Sequence, residues 1–251
     1  MPRISTTPVR CARLRIGVFL SLLALQPAGG HASEPSPDLT TAFRTLLPHV
    51  TRSSDAQGFR VAVEAYYRYR SRRPDQVRKP YLYFVDLGLD ARTPRGYVFD
   101  MDRLRLVEGP FPVAHGRGSS VERDAVPSVF SNVAGSNASS LGLYLTQGTY
   151  AFRGRSGGRP YTSIGLRLRG ESGVYNDAAE ARGIVVHGAP YVTRGGAGRS
   201  EGCPAMEPDR AERLLPLLEG GSIVFVYSPK AEEWLSEGPW VSDDVEIAGR
   251  D

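Results

Sequence analysis

The chain has 251 residues, with 31 Lys and Arg against 27 Asp and Glu, and the excess of positive charge sits near its start as Arg3, Arg10, Arg13 and Arg15. Beyond Ala32 the two signs balance at 27 each, which argues against a nucleic-acid partner, since that would want a persistent basic face. The 219 residues beyond Ala32 suffice for one domain with a small extension.

Met1–Ala32 reads as a secretory signal: a basic start without acids, the short apolar run Ile16–Leu25, and a small-residue exit at Gln26–Ala32. The apolar run is too short to span a bilayer comfortably, so an uncleaved anchor is the lesser alternative. Cys11 precedes that run and is misplaced for a lipoprotein anchor. The expectation is cleavage near Ser33, a location in the periplasm or cell envelope, and no stable membrane insertion afterwards. Cleavage also leaves Cys203 as the one cysteine of the mature chain. An exported chain ordinarily pairs its thiols or lacks them, so a lone thiol there needs a use.

Residues 33–80 are expected to form a linker and a helical extension. Leu39–Val50 places Leu39, Phe43, Leu46 and Leu47 near one helical face, and Asp55–Arg70 does the same with Phe59, Val63, Tyr66 and Tyr67. The arginines from Arg60 to Arg73 read as a solvated face. From Tyr81 the pattern turns to strands. Tyr81–Leu87 and Gly96–Asp100 come first, then a hairpin over Met101–Val113 that Gly109-Pro110 is expected to break, then a strand ending at His115-Gly116. Ser128–Gly142, rich in Ser, Asn and Gly, reads as a loop lining a cleft. Leu143–Phe152 and Ser163–Arg169 are further strands, and Asn176–Arg182 a short helix or turn. Pro208–Leu218 is a helix with Leu214, Leu215 and Leu218 inward, and Ser222–Tyr227 a closing strand. Catalytic-domain bounds of 81–230 and a tail of 231–251 complete the division. Many short strands and few helices make the chain mainly β, a sandwich or barrel with a helical extension.

The chemistry concentrates in Ile184–Ala205. Ile184-Val185-Val186 is a buried strand by composition, His187 stands at its end, a glycine-rich loop follows, and Cys203 is fixed by Pro204. A thiol needs a nearby base near neutral pH, and imidazole is the usual one. Two other segments carry companion patterns: Ala114-His115-Gly116-Arg117-Gly118-Ser119, and Phe130-Ser131-Asn132 with Gly135-Ser136 and Ser139-Ser140-Leu141-Gly142. Together with Gly198-Arg199-Ser200-Glu201-Gly202-Cys203-Pro204-Ala205, and a His-to-Cys spacing of 16, the set resembles the L,D-transpeptidase (YkuD-like) family in its murein L,D-transpeptidase catalytic-domain branch. The likeness runs from about Leu82 to Tyr227. Glu201 and Ala205 depart from the better-known branch, which has His before Gly-Cys and a basic or amide residue two after Cys.

That resemblance implies an L,D-transpeptidase β-sandwich, a peptidoglycan stem tetrapeptide as substrate, and acyl transfer at the carbonyl before the terminal D-alanine. In this reading Cys203 is the nucleophile, His187 its base, and the Gly202 and Cys203 N–H groups part of an oxyanion hole. Arg199, Ser200, His115, Ser131 and Asn132 are the candidate substrate contacts. His115 either lines the cleft or caps a strand, and Arg199 either meets a substrate carboxylate or forms a loop salt bridge. No cofactor or metal is expected. The alternatives are an L,D-carboxypeptidase, a wall-binding module with a vestigial site and, last, a zinc hydrolase using His115, His187 and Cys203, which lacks a compact ligand pattern.

Overall fold

The structure is a computed structural model that describes residues 38–122, 125–231 and 234. The expected signal and most of the tail lie outside the described residues. Two helices open the described chain. Helix α1 is Leu39–Leu46, continued by a 3-10 turn over Leu47–His49, and α2 is Ala56–Arg72. Each begins at an aspartate that satisfies a first-turn N–H: Asp38 accepts from Thr41 N at 2.9 Å and Asp55 from Gln57 N at 2.8 Å. The inward stripe of α2 carries Phe59, Val63 and Tyr66, all fully buried, while Tyr67 is only partly covered.

The strands follow in the order β1 Tyr81–Asp86, β2 Gly96–Asp100, β3 Arg105–Phe111, β4 His115–Gly116, β5 Gly142–Ser156 and β6 Arg159–Gly170. Next come β7 Val185–Gly188, β8 Val192–Thr193, β9 Gly196–Ala197, β10 Arg199–Ser200 and β11 Ala205–Met206, then helix α3 Pro208–Leu218 and β12 Ile223–Tyr227. Hydrogen bonding joins eight of them into one mixed sheet ordered β11-β7-β6-β5-β12-β1-β2-β3. Two short ladders, β10-β4 and β8-β9, complete the strand structure among the described residues. The protein is mainly β with few helices, the class expected.

Strand β12, the last among the described residues, is wholly buried between β1, to which it runs parallel, and β5, to which it is antiparallel. Its sequence Ile-Val-Phe-Val-Tyr suits a strand covered on two faces. Helix α2 packs on β1 and β12 and α3 on β6 and β7, so helices and sheet share one apolar core.

Two local expectations are corrected. Gly109-Pro110 does not break the strand: β3 runs through it to Phe111, with an irregular register against β2 and a cis Gly109-Pro110 bond. β3 is an outermost strand of the sheet, where the missing proline N–H costs no ladder bond. Strands β5 and β6 are also longer than the apolar runs suggest. They continue to a two-residue turn at Gly157-Gly158, with φ of 55° and 78°, and over the outer part of β5 partial burial alternates with exposure. The segment Asn176–Arg182 is a turn, preceded by a 3-10 turn over Gly173–Tyr175.

Candidate active site

Strand β7 brings His187 to the middle of three paired strands, opposite Gly165 of β6 and Ala205 of β11. Cys203 sits in the bend between β10 and β11. This register places the imidazole and the thiol on the wall of one cleft of about 930 Å3. Arg117, Arg182, Tyr191, Arg199, Ser200 and Glu201 line it too.

The bend is tied on every side. Ser200 Oγ donates to the Cys203 carbonyl at 2.6 Å and accepts from Gly202 N at 3.2 Å. Ser139 Oγ accepts from Gly116 N at 2.9 Å and donates to the Gly202 carbonyl at 3.2 Å. Gly202 has φ +119°, and a Cβ there would lie 2.9 Å from the Ala138 carbonyl oxygen. A Cβ on Gly116 would meet Asn137 O at 2.3 Å and the Gly202 Cα at 2.8 Å. The serine-rich loop therefore packs against the cysteine bend through backbone contacts that only glycine allows. It acts as a buttress for the bend.

His187 is almost fully buried. Its ring stacks on Phe152 at 4.0 Å between centroids, with Tyr191 edge-on at 6.5 Å. Its Nδ1 lies 3.0 Å from the carbonyl of Gly188. A carbonyl accepts only, so Nδ1 carries the hydrogen and Nε2 is the basic nitrogen. Burial pushes its pKa down to about 4, against a smaller opposing effect of the Gly188 bond. Burial pushes the Cys203 thiol up to about 11, opposed by the Val185 N–H and the charge of Arg182, with Glu201 adding a small upward push. The resting pair is thus a thiol and a neutral imidazole. The thiol is directed at the Gly183 carbonyl, 3.8 Å away. Among the described residues nothing in the protein accepts from the Cys203 N–H, and the next residue, Pro204, has none.

The sequence-predicted site residues separate into two groups. Cys203, His187, Arg199 and Ser200 meet at the cleft. Gly202 shapes the bend, and its N–H is already committed to Ser200 Oγ. His115, Ser131 and Asn132 lie outside the cleft lining. His115 is fully buried: Arg95 Nη2 donates to its Nδ1 at 2.8 Å, and Nε2 meets Ser120 Oγ at 2.8 Å. Burial first, then the charges of Arg95 and Arg199, push its pKa down to about 3. The Ser131 carbonyl accepts from Arg182, and Asn132 Nδ2 donates to the Val174 carbonyl and to Asp177. Arg199 donates to the carbonyls of Ser120 and Val121, at 3.0 and 3.1 Å, rather than to an acid. Glu201 is turned to Arg117 at 3.7 Å and is largely exposed. Both ring nitrogens of His115, one of the three zinc ligands considered from the sequence, have polar partners. Among the described residues no three His, Cys, Asp or Glu side chains gather to hold a metal.

Sequence reasoning passed over Phe152, Tyr191 and Arg182. The first two read as strand or loop aromatics, and the third as an ordinary turn charge.

A family model described as "L,D-transpeptidase catalytic domain" matches residues 51–227. The chain belongs to that family. Solved structures that it resembles include an L,D-transpeptidase from Mycobacterium smegmatis, at 16% identity and a TM-score of 0.38, covering 59% of each chain. Another is an L,D-transpeptidase from Mycobacterium tuberculosis H37Rv, at 16% and 0.38, covering 59% of this chain and 58% of that one. A third is the Enterococcus faecium L,D-transpeptidase C442S mutant, at 13% and 0.36, covering 59% of this chain and 50% of that one. The chain thus spans less than two thirds of each of these proteins. No curated protein matches its sequence. Among its described residues, no helix is long and apolar enough to cross a membrane.

Proposed function

We propose that the protein is a cysteine-dependent L,D-transpeptidase of the periplasm or cell envelope. It would form a thioester on Cys203 from a peptidoglycan stem tetrapeptide and pass the acyl group to an amine of a second stem. The observation that carries this reading is the shared cleft of Cys203 and His187, with the imidazole tautomer fixed by Gly188 so that Nε2 is the base. Nε2 takes the thiol proton as sulfur attacks the carbonyl before the terminal D-alanine. The negative charge that develops on the carbonyl oxygen meets the free Cys203 N–H. Collapse expels D-alanine, whose amine leaves with the proton held on Nε2. An incoming amine then attacks the thioester and gives up its proton to the same nitrogen, and thiolate is released to be reprotonated.

Arg199 and Ser200 line the cleft that holds Cys203 and serve as substrate contacts, and Glu201 on the exposed rim gathers a cationic amine. Water in place of the amine makes the same machinery an L,D-carboxypeptidase. The test supplies purified protein with a disaccharide-tetrapeptide and follows products by mass. Cross-linked dimer with free D-alanine is the expected outcome. Tripeptide alone at high acceptor concentration means the hydrolase. No product and no thioester mean a wall-binding module.

A further inference from the structure

Arg182 is a half-buried cation whose partners are all neutral. Its Nη1 donates to the Ser131 carbonyl at 2.8 Å and to Ser140 Oγ at 3.2 Å, and its Nη2 to the Ala138 carbonyl at 2.7 Å and Ser136 Oγ at 3.3 Å. Among the described residues no carboxylate pairs with it. The neighbouring ionisable groups are the phenol of Tyr144, which burial holds protonated with its pKa pushed up to about 12, and the thiol of Cys203. A Cβ on Gly202 would lie 3.5 Å from Arg182 Nη2, and Arg182 and Cys203 line the same cleft.

A guanidinium taken partly out of water costs free energy unless an anion compensates it. Four neutral oxygens satisfy its N–H groups but leave its charge uncancelled. The group that acquires negative charge during turnover stands beside it.

We propose that Arg182 is a positioning residue with two linked tasks: its four hydrogen bonds hold the loop 131–140 that buttresses the cysteine bend, and its uncancelled charge stabilises the Cys203 thiolate. This rests on Cys203 being the nucleophile and deepens that reading. The charge is held in place before the reaction, so no reorganisation is needed when the thiolate forms.

The test measures thiol chemistry alone and needs no peptidoglycan. The alkylation rate of the Cys203 peptide by iodoacetamide is followed by mass against pH in the full chain and in Arg182→Gln and Arg182→Lys. Loss of a neighbouring opposite charge raises a thiol pKa by about one pH unit or more. The alkylation midpoint of Arg182→Gln should rise by that amount. Its rate below the midpoint should fall about three- to fourfold, once the greater nucleophilicity of a more basic thiolate is allowed for. Arg182→Lys keeps the charge and should recover most of the midpoint, which a purely structural role would not predict. An unmoved midpoint in folded Arg182→Gln overturns the proposal.

A second pair of variants leaves Arg182 in place. Cys203→Asp puts a permanent anion where the thiolate forms, and Cys203→Asn is its neutral match. At pH 7 Cys203→Asp should melt at least as high as Cys203→Asn, and a clearly lower melting temperature also overturns the proposal. Failure of the muropeptide assay with these thiol results intact would remove the proposed reaction and leave the role of Arg182 standing.

Discussion

The two buried histidines have opposite surroundings, and their variants should separate. His187 has Nε2 as its basic nitrogen and lines the same cleft as Cys203. His187→Ala should slow acylation by a factor on the order of 10² to 10⁴, the usual loss of a general base. Cys203→Ser should abolish turnover with the fold intact. His115 instead accepts from the buried Arg95, whose other bonds go to the carbonyls of Val113 and Leu89. His115→Ala leaves Arg95 Nη2 without one acceptor, so its cost should appear in melting temperature more than in acylation rate. Single-turnover acylation beside thermal melts checks the ranking, and a slower His115→Ala than His187→Ala would mean the wrong base is paired with Cys203. Both histidines also set a pH dependence of stability. Their folded pKa values, about 3 and about 4, lie below the ordinary value of 6.5. Between those values and 6.5 the unfolded chain binds more protons than the folded one, so this contribution is complete above about 6.5 and declines as pH falls. Each should cost about 1.4 kcal/mol per pH unit in that window. Denaturant midpoints at pH 7 and pH 5 measure it, and equal midpoints would show that neither imidazole is held neutral.

Among the elements, α2 shows how a sequence rule can be overruled by packing. Gly58 sits in its first turns, where alanine would normally be favoured by about 1 kcal/mol. A Cβ at Gly58 would lie 2.2 Å from the ring of Tyr227, whose hydroxyl is tied to Asp55 at 2.5 Å. That ring is buried and anchored, so the clash should outweigh the propensity. Gly58→Ala is expected to destabilise by about 1 to 3 kcal/mol, the usual cost of overpacking, in urea unfolding. A stabilised variant would mean that α2 can slide on β12. Most elements were legible from apolar periodicity, as in Phe59, Val63 and Tyr66 of α2 or the apolar run of β12. The outer ends of β5 and β6 were not, because Arg153–Ser156 and Arg159–Thr162 carry few core residues and are held by pairing across the Gly157-Gly158 turn. The dipeptide is a hairpin signal that was available. Gly109-Pro110 misled for the converse reason: a local breaker is harmless where the ladder ends.

At the scale of the whole molecule, the site was legible where one peptide motif carries it and obscure where distant segments meet. His187, Cys203, Arg199 and Ser200 share one stretch and were found together. Arg182 and Phe152 reach the same cleft from a turn and from β5, and nothing local to either marks them. Serial order also conceals which segments share a core. The expected boundary at residue 80 separates a helical extension from a catalytic domain, yet Phe59, Val61, Val63 and Tyr66 of α2 are buried in the cluster that holds Phe84, Phe99 and Phe225 of the sheet. Phe59 lies 5.0 Å from Phe99 and 5.6 Å from Phe84, ring centre to ring centre. Burying Phe59, Val61 and Val63 alone is worth about 5 to 9 kcal/mol at about 1.5 to 3 each. That is comparable to the whole net stability of a typical domain, about 5 to 15 kcal/mol. A chain that starts at residue 81 should therefore lose its cooperative melt and expose apolar surface to a hydrophobic dye, whereas one that starts at residue 38 should melt as a single unit. If the shorter chain melts sharply and its Cys203 is alkylated at the rate of the longer one, the helices are an appendage and the boundary at residue 80 is a true domain limit.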